Sequence, residues 1–307
     1  MMVDDQRNPL SEINAAYQTR EPRHVLAQDV ILTENTHRQI SECIALLRFH
    51  RTIYDEWDFA AVDHQGSTAI VNFFGPPGTG KTLAAEALAG ELEMPFLPLT
   101  IGDLESSLKG QMSKNLQKAF RRAREEQAVL FFDEADALLG RRISVSQGID
   151  SDMNATRNTM MTELSAHEGL VVFATNYARD YDDAIKSRIT HQVTFELPDE
   201  ATRLRLWDRF IVEKIPLAVP RAELLSQAAA GSPGLSGRDI LNCTRRALPR
   251  MLLDAERAEM PPRLDFSHVE AAIAQVRLGT GGSGQAAKPK AAAGEETTIA
   301  GHLLGLQ

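Results

Sequence analysis

The sequence predicts an α/β protein with a five-stranded parallel sheet, flanking helices and a small C-terminal helical subdomain. Five short apolar runs alternate with segments of helical periodicity between residues 68 and 197. Beyond Pro198-Asp199 the strand signal ends and only helical patterns follow, near 200–214, 220–230, 236–256 and 267–277. Continuous apolar strands separated by helices are typical of a parallel sheet that is covered on both faces. The predicted strands are residues 68–74, 95–100, 128–132, 169–175 and 192–197.

The composition is ordinary for a globular chain, and its net charge and apolar runs argue against nucleic-acid and membrane partners. At 307 residues the chain is long enough for more than one domain. Its 43% hydrophobic and 24% charged residues are usual for a globular protein. The formal charge of −9 argues against broad nucleic-acid affinity, because there is no basic excess to displace phosphate counterions. The sequence contains no run of 18 apolar residues, so we expect no membrane partner.

The N-terminal part divides into an arm and a helix. Residues 1–28 are polar and interrupted by prolines, and we expect a flexible arm. A helix is predicted from Thr33, a possible N-cap, to about Trp57. The two cysteines, Cys43 and Cys243, are far apart and form no CxxC pattern. Such usage favours a reducing compartment, and we predict the cytoplasm.

A phosphate-binding loop follows the first predicted strand. Residues 75–82 read Gly75-Pro76-Pro77-Gly78-Thr79-Gly80-Lys81-Thr82, the pattern GxxxxGK[ST], and Leu83 continues into a helix. The glycines let successive N–H groups point at one anion, and the helix adds its positive end. A chance glycine-rich turn would explain neither Lys81-Thr82 nor the flanking strand and helix. The segment therefore predicts binding of a nucleoside triphosphate, with Lys81 on the phosphates and Thr82 on Mg²⁺.

Two acids end the third predicted strand. Residues 128–132 are apolar and run directly into Asp133 and Glu134. In open α/β sheets the carboxyl ends of strands are where ligands bind. We expect Asp133 to bind Mg²⁺ and Glu134 to polarise the water that attacks the γ-phosphate. An ordinary acidic strand end is the alternative, and the phosphate loop upstream argues against it.

With these two motifs the chain resembles the AAA+ ATPases, within them the group that carries a second region of homology. The resemblance covers about Asp29 to Leu278 and implies ATP and Mg²⁺ as ligands. It implies a large nucleotide-binding domain (residues 29–198) and a helical lid subdomain (199–278). Residues 279–307 are Gly-rich and then Ala/Lys/Pro-rich, and this composition predicts a disordered tail. Some members carry a zinc protease, but His167-Glu168-Gly169 does not continue into HExxH, so we do not expect that activity here.

The resemblance also assigns roles near the fourth and fifth strands. In this family the strand that corresponds to residues 169–175 lies between the strand before the phosphate loop and the strand that ends in the two acids. Asn176 matches the polar sensor that holds the attacking water. Arg188 matches the arginine finger, which touches the γ-phosphate in the neighbouring subunit. A solvated helix residue or a local salt bridge is the alternative for Arg188. Many relatives carry two adjacent arginines here, whereas this chain has Ser187 before Arg188.

Two further assignments leave alternatives open. Arg238 lies where some members place an arginine on the nucleotide of the same subunit, but an exposed residue in a first helical turn fits equally. Leu108 and Lys109 match the loop that members which thread proteins present to a central pore. Leu108 replaces the usual aromatic residue, and an ordinary surface loop is a competing interpretation.

These features predict an ATPase that works as a homo-oligomeric ring, a hexamer, and remodels a protein client. Among compact relatives, the HORMA-remodelling ATPases of the pachytene-checkpoint type are similar in layout. Their bacterial forms serve antiviral signalling, so a HORMA-domain client is our narrower prediction. Two other classes stay open: a loader or helicase that acts on nucleic acid, and a nucleotide-gated scaffold that does no mechanical work.

Overall fold

The computed structural model describes residues 17–62, 68–104, 111–140, 148–176 and 181–280. Its centre is a five-stranded sheet in the order β2-β3-β4-β1-β5, in which every pair of neighbours is parallel. The predicted fold class is confirmed, and the fourth strand lies between the first and the third. The strands are β1 (Thr68–Phe74), β2 (Phe96–Leu99), β3 (Val129–Phe132), β4 (Gly169–Thr175) and β5 (His191–Thr194).

Helices precede, separate and cover these strands. The helix predicted from Thr33 begins there, because the Thr33 side chain accepts the backbone N–H of Thr36 at 3.4 Å. It ends as an α-helix at Arg48 and is followed by a π-helical turn, Thr52–Glu56, and a 3₁₀ turn, Phe59–Ala61. The α-helices up to β5 are α1 (Leu26–Asp29), α2 (Glu34–Arg48), α3 (Lys81–Glu91), α4 (Ile101–Leu104), α5 (Gln111–Glu125), α6 (Asp136–Leu139), α7 (Gly148–Ala166) and α8 (Asp183–Lys186).

Each face of the sheet buries its own apolar cluster. On one face Phe132 and Phe173 pack with Phe120 of α5 and Met160 of α7. On the other face the sheet packs against the small residues of α3 and against Ile40 of α2. Residues of β3 and β4 alternate between the two clusters, as expected of strands covered on both sides. Helices therefore cover both faces of the sheet, and the carboxyl ends of its parallel strands lie along the same side.

The C-terminal subdomain is helical, as predicted, and has its own core around the fully buried Trp207. Its third helix begins with a capping box in which Ser236 and Asp239 bond each other's backbone N–H groups. Pro249 lies within this helix, which continues to Ala258. The four helices are α9 (Glu200–Phe210), α10 (Arg221–Gly231), α11 (Gly237–Ala258) and α12 (Phe266–Thr280).

Part of the predicted flexible arm is packed on the sheet. Tyr17 is buried, and the backbone of Arg20 exchanges two hydrogen bonds with Phe96 at 2.9 and 2.8 Å. The side chain of Arg20 also pairs with the buried carboxylate of Glu86 at 2.7 Å. A buried carboxylate needs such partners, and they fix the chain that supplies them. These contacts join Tyr17 and Arg20, which belong to the predicted arm, to the large domain.

Some predictions fall outside the described residues. These are the first 16 positions of the arm, the loop that carries Leu108 and Lys109, and the tail beyond Thr280. Within the described ranges, no helix combines the length and the hydropathy that crossing a bilayer requires.

Candidate nucleotide-binding site

The phosphate loop connects β1 to α3 along a path that glycine permits. Gly75, Gly78 and Gly80 have φ angles of 152°, 78° and 99°, which residues with a side chain rarely adopt. A Cβ on Gly75 would also lie 1.9 Å from the carbonyl oxygen of Phe195. The Gly75 N–H donates to the carbonyl of Thr175 at 3.2 Å. The loop therefore starts at a fixed point beside the ends of β4 and β5.

The Lys81 ammonium lies inside this loop. It donates to the carbonyl oxygens of Gly75 at 2.6 Å and Pro76 at 3.0 Å, and to Oδ1 of Asn176 at 3.0 Å. The Thr79 hydroxyl donates to the same Pro76 carbonyl at 2.8 Å. Three polar contacts thus hold one cation at the centre of the loop and join it to the end of β4.

Burial changes the acidity of this cation. Desolvation lowers the pKa of Lys81 to about 8, although the nearby carboxylates of Asp133 and Asp136 act in the opposite direction. The positive charge of Arg238 lowers the pKa further. An anion placed in the loop would reverse this shift, since it would add negative charge beside the ammonium.

Thr82 and Asp133 form the predicted metal position. The Thr82 hydroxyl donates to Oδ2 of Asp133 at 2.8 Å, which joins the first turn of α3 to the end of β3. A hydroxyl and a carboxylate are oxygen ligands, which Mg²⁺ prefers. The two side chains therefore lie close enough to share one cation, and their role as metal ligands stays a prediction.

Glu134 adopts an unusual backbone conformation beside this pair. Its φ angle is 54°, and its N–H donates to Oδ1 of Asp133 at 2.9 Å. A left-handed conformation costs free energy for a residue with a side chain, and such outliers concentrate at functional sites. Glu134 is exposed and belongs to the lining of a cavity between the large domain and the lid.

Asn176 is held from two sides. Its side-chain oxygen accepts the Lys81 ammonium, and its backbone N–H donates to Oδ2 of Asp136 at 3.1 Å. The N–H of Ala135 also donates to the carbonyl of Ala174 at 3.0 Å. The ends of β3 and β4 are thereby locked together. Asp136 is a positioning residue that the sequence analysis did not identify, although it follows the two predicted acids directly.

Arg188 lies outside this group. Its Nη1 donates to the carbonyl of Ala184 at 2.8 Å, and its Nε donates to the hydroxyl of Ser165 at 3.3 Å. Arg188 is not among the described residues that line the cavity. The structure therefore does not bring Arg188 to the site of its own chain.

Arg238 joins the lid subdomain to the phosphate loop. Its backbone N–H donates to the carbonyl of Gly78 at 3.1 Å, and its side chain lines the cavity. Its influence on the pKa of Lys81 places the two cations within electrostatic range. Arg238 is nevertheless exposed, so both interpretations of this residue stay open.

A cavity of about 530 Å³ lies between the large domain and the lid, within the range of small-molecule sites. Its polar wall contains residues 77–83, Asp133, Glu134 and Asn176. The segment before α2 and the lid also contribute apolar residues to the lining, and we call these residues the apolar wall. These apolar residues are Val30, Ile31, Leu32, Leu206, Phe210 and Leu241.

Comparison with known proteins agrees with this geometry. The model of the ATPase family associated with various cellular activities (AAA) matches residues 71–197, from within β1 to beyond β5. The chain belongs to the AAA+ ATPase family.

Relatives of this AAA+ chain include proteins with different names. A 26S proteasome regulatory subunit homolog of Methanocaldococcus jannaschii is 36% identical over 60% of the chain and 50% of its own length. The ATP-dependent zinc metalloprotease FtsH of Syntrophus aciditrophicus is 31% identical over 75% of the chain and 31% of its own length. An uncharacterized AAA family ATPase of Sinorhizobium fredii is 31% identical over 67% of the chain and 61% of its own length. The chain thus spans about a third to three fifths of these relatives.

The site of the AAA+ chain fits Mg-ATP. The loop offers N–H groups and the Lys81 ammonium to phosphates, and the Thr82–Asp133 pair offers oxygen atoms to Mg²⁺. The apolar wall suits a nucleobase. Sequence reasoning missed this wall, because its residues come from two distant segments. The only local signal was the short apolar run Val30-Ile31-Leu32 before the predicted helix.

Proposed function

We propose that this protein hydrolyses ATP in a homo-oligomeric ring, a hexamer, and uses the reaction to remodel a protein client. The observation that carries the proposal is the division of the predicted catalytic residues. Four of them lie together in the nucleotide cavity at the carboxyl ends of the strands: Lys81, Thr82, Asp133 and Asn176. Arg188 is not among the described residues that line this cavity. An arginine finger can be worth roughly 10³–10⁵ in rate, so its natural role is on a neighbouring copy.

The residues of the large domain would divide the reaction among them. Bound Mg-ATP would supply the transferable phosphoryl group and a cation that screens its charge. Lys81 and the loop N–H groups bind and orient the phosphates. Glu134 accepts a proton from the attacking water, and Asn176 orients that water. Arg188 of the adjoining subunit stabilises the charge that develops on the phosphoryl oxygens.

Relatives support the remodelling part of the proposal. The names of the archaeal and bacterial relatives refer to a proteasome regulatory subunit and to ATP-dependent proteolysis, and both concern protein substrates. The acidic charge of this chain is consistent with a protein client. We retain a HORMA-domain protein in antiviral signalling as the narrower prediction for that client. We retain the cytoplasm as its location, since both cysteines are free and buried.

The variant Glu134→Gln tests this function. It keeps the size of the side chain but removes the base, so we expect unchanged ATP affinity and a loss of turnover of about 10²–10⁴-fold. ATPase assays and equilibrium binding of labelled ATP measure the two quantities. The ATP-loaded variant should also retain an unfolding client that wild-type protein releases.

Three results would contradict the proposal. Unchanged hydrolysis would remove Glu134 from its role. Salt-sensitive DNA binding with DNA-stimulated ATPase activity would indicate a nucleic-acid loader. Hydrolysis that never changes the fold of a captured protein would indicate a nucleotide-gated scaffold. Glu93→Gln, a substitution away from the cavity, serves as the control for loss of one carboxylate.

A further inference from the structure

Three polar side chains are buried together below the nucleotide site. Asn72 in β1 and Thr175 at the end of β4 have no exposed surface, and Tyr181 is 2% exposed. Their neighbours in this part of the core include the apolar side chains of Ile70 and Phe173. Buried amides and hydroxyls are costly unless each is hydrogen-bonded. Their presence in an otherwise apolar layer therefore calls for a reason.

The three side chains satisfy one another in a closed ring, which we call the buried triad. The amide of Asn72 donates to Oη of Tyr181 at 3.3 Å, and the Thr175 hydroxyl donates to Oδ1 of Asn72 at 3.3 Å. The Tyr181 hydroxyl is then free to donate to Oγ1 of Thr175, with which it is in contact. Burial raises the pKa of Tyr181, so the phenol keeps its proton. Each donor in the ring has an acceptor.

One side of the buried triad adjoins the nucleotide site. Thr175 directly precedes Asn176, whose side chain accepts the Lys81 ammonium at 3.0 Å. The carbonyl of Thr175 accepts the N–H of Gly75, the first residue of the phosphate loop, at 3.2 Å. The phosphate loop is therefore one hydrogen bond away from Thr175, and the sensor Asn176 is one peptide bond away from it.

The other side of the buried triad fixes the segment that carries Arg188. Tyr181 directly precedes Asp182, whose carboxylate caps α8 by accepting the N–H of Ala184 at 2.9 Å. The carbonyl of Ala184 in turn accepts Nη1 of Arg188 at 2.8 Å. The Asp182 N–H also donates to Leu139 at the end of α6, at 3.0 Å. Tyr181 is thus one residue from the N-cap of α8, and the contacts of α8 continue from that N-cap to Arg188.

We propose that Tyr181, through the buried triad, is a positioning residue that holds the arginine-finger helix in register with the sensor strand. Asn176 and Arg188 of one subunit then move as a unit, although they serve different nucleotide sites. Directional hydrogen bonds suit this task, because apolar packing alone would allow the Tyr181 ring to slide. The inference rests on the proposed function, since it requires a site shared between subunits.

A mixing experiment tests the inference. Subunits with Lys81→Ala lose ATP binding but keep the finger, and subunits with Arg188→Ala bind ATP but lack the finger. We expect the mixture to regain part of the ATPase activity. Tyr181→Phe is then placed in either partner, where it removes only the hydroxyl. In the finger donor it should lower the restored kcat roughly tenfold, the scale of a small misplacement of a catalytic group. In the ATP-binding partner it should leave kcat and KM nearly unchanged.

A stability control separates position from folding. The triple change Asn72→Leu, Thr175→Val and Tyr181→Phe replaces every polar member by an apolar group of similar shape, so no orphaned donor remains. In the finger donor we expect the thermal unfolding midpoint to recover relative to Tyr181→Phe while the restored kcat stays low. Recovery of kcat together with the midpoint would overturn the inference, because the buried triad would then act only on stability.

The remaining outcomes distinguish the inference from the function on which it rests. Equal loss from Tyr181→Phe in both partners, or no loss in either, refutes the positioning role while the shared site stands. A mixture without Tyr181 changes that regains no activity refutes the shared site, and the inference falls with it.

Discussion

At the scale of single residues, Lys81 shows how the site balances burial against charge. Lys81 is 8% exposed, and its ammonium donates to two loop carbonyls and to Asn176 in place of water. The loss of solvent outweighs the attraction of nearby carboxylates and lowers its pKa to about 8. The charged form is the one that binds phosphate, so the proton on Lys81 is linked to ATP binding.

This linkage predicts that ATP binding weakens in mildly alkaline solution. Above the pKa the free protein must take up a proton to bind, so the apparent Kd should rise about tenfold between pH 7 and pH 9. Calorimetric titration with Mg-ATP at the two pH values measures the change. Lys81→Arg is the matched control, because its guanidinium stays charged over this range and its Kd should be constant. Equal wild-type Kd values at both pH values would show that burial does not govern this lysine.

At the scale of elements, the phosphate loop and the lid are in direct contact. The Gly78 carbonyl accepts the Arg238 N–H at the start of α11. A Cβ on Gly78 would lie 2.5 Å from the Ser236 hydroxyl, which caps the same helix. The loop therefore needs glycine here for the approach of the lid as well as for its own φ angle. A shift of the loop is transmitted to α11 through this contact.

Two glycine substitutions separate these effects. Gly78→Ala and Gly80→Ala both place a side chain at a positive φ angle, but a Cβ on Gly80 meets nothing within 4 Å. We expect Gly78→Ala to lower the free energy of unfolding by about 1–2 kcal/mol more than Gly80→Ala, because only Gly78→Ala crowds a packed neighbour. Urea denaturation without nucleotide measures the difference. Equal losses would show that the lid contact contributes nothing to stability.

Much of the fold and the site follows from local sequence. Each strand of a doubly covered parallel sheet must be apolar on both faces, so runs such as residues 128–132 are visible without a structure. The motif residues Lys81, Asp133 and Asn176 follow strand ends, and parallel strands bring those ends to one edge. Local pattern and tertiary arrangement agree at these positions, which is why the polar side of the site was predictable.

The rest depends on pairings between distant residues. Asn72 reads as an isolated polar residue in an apolar strand, and its partner Tyr181 lies 109 positions away. Arg20 looks like part of a polar arm until Glu86 is found buried beside it. Such contacts are decided by the packing of the whole domain, and no periodicity or spacing marks them in advance.

At the scale of the whole molecule, the proposed function requires two copies of the chain at each nucleotide site. Among the described residues, the arginines that line the cavity are Arg209 and Arg238, both from the lid, whereas the predicted finger Arg188 bonds to Ser165 and Ala184. A second copy must bring its Arg188 for the proposed chemistry to proceed. Catalysis and assembly are therefore one property in this account.

The dependence of ATPase rate on protein concentration tests this claim most directly. The rate per subunit, at saturating Mg-ATP, is measured over a dilution series in parallel with molar mass by light scattering. We predict that the rate falls as the assembly dissociates and returns on concentration, whereas the low rate of Arg188→Ala stays constant throughout. Full activity per subunit in a species with the mass of a monomer would contradict the account.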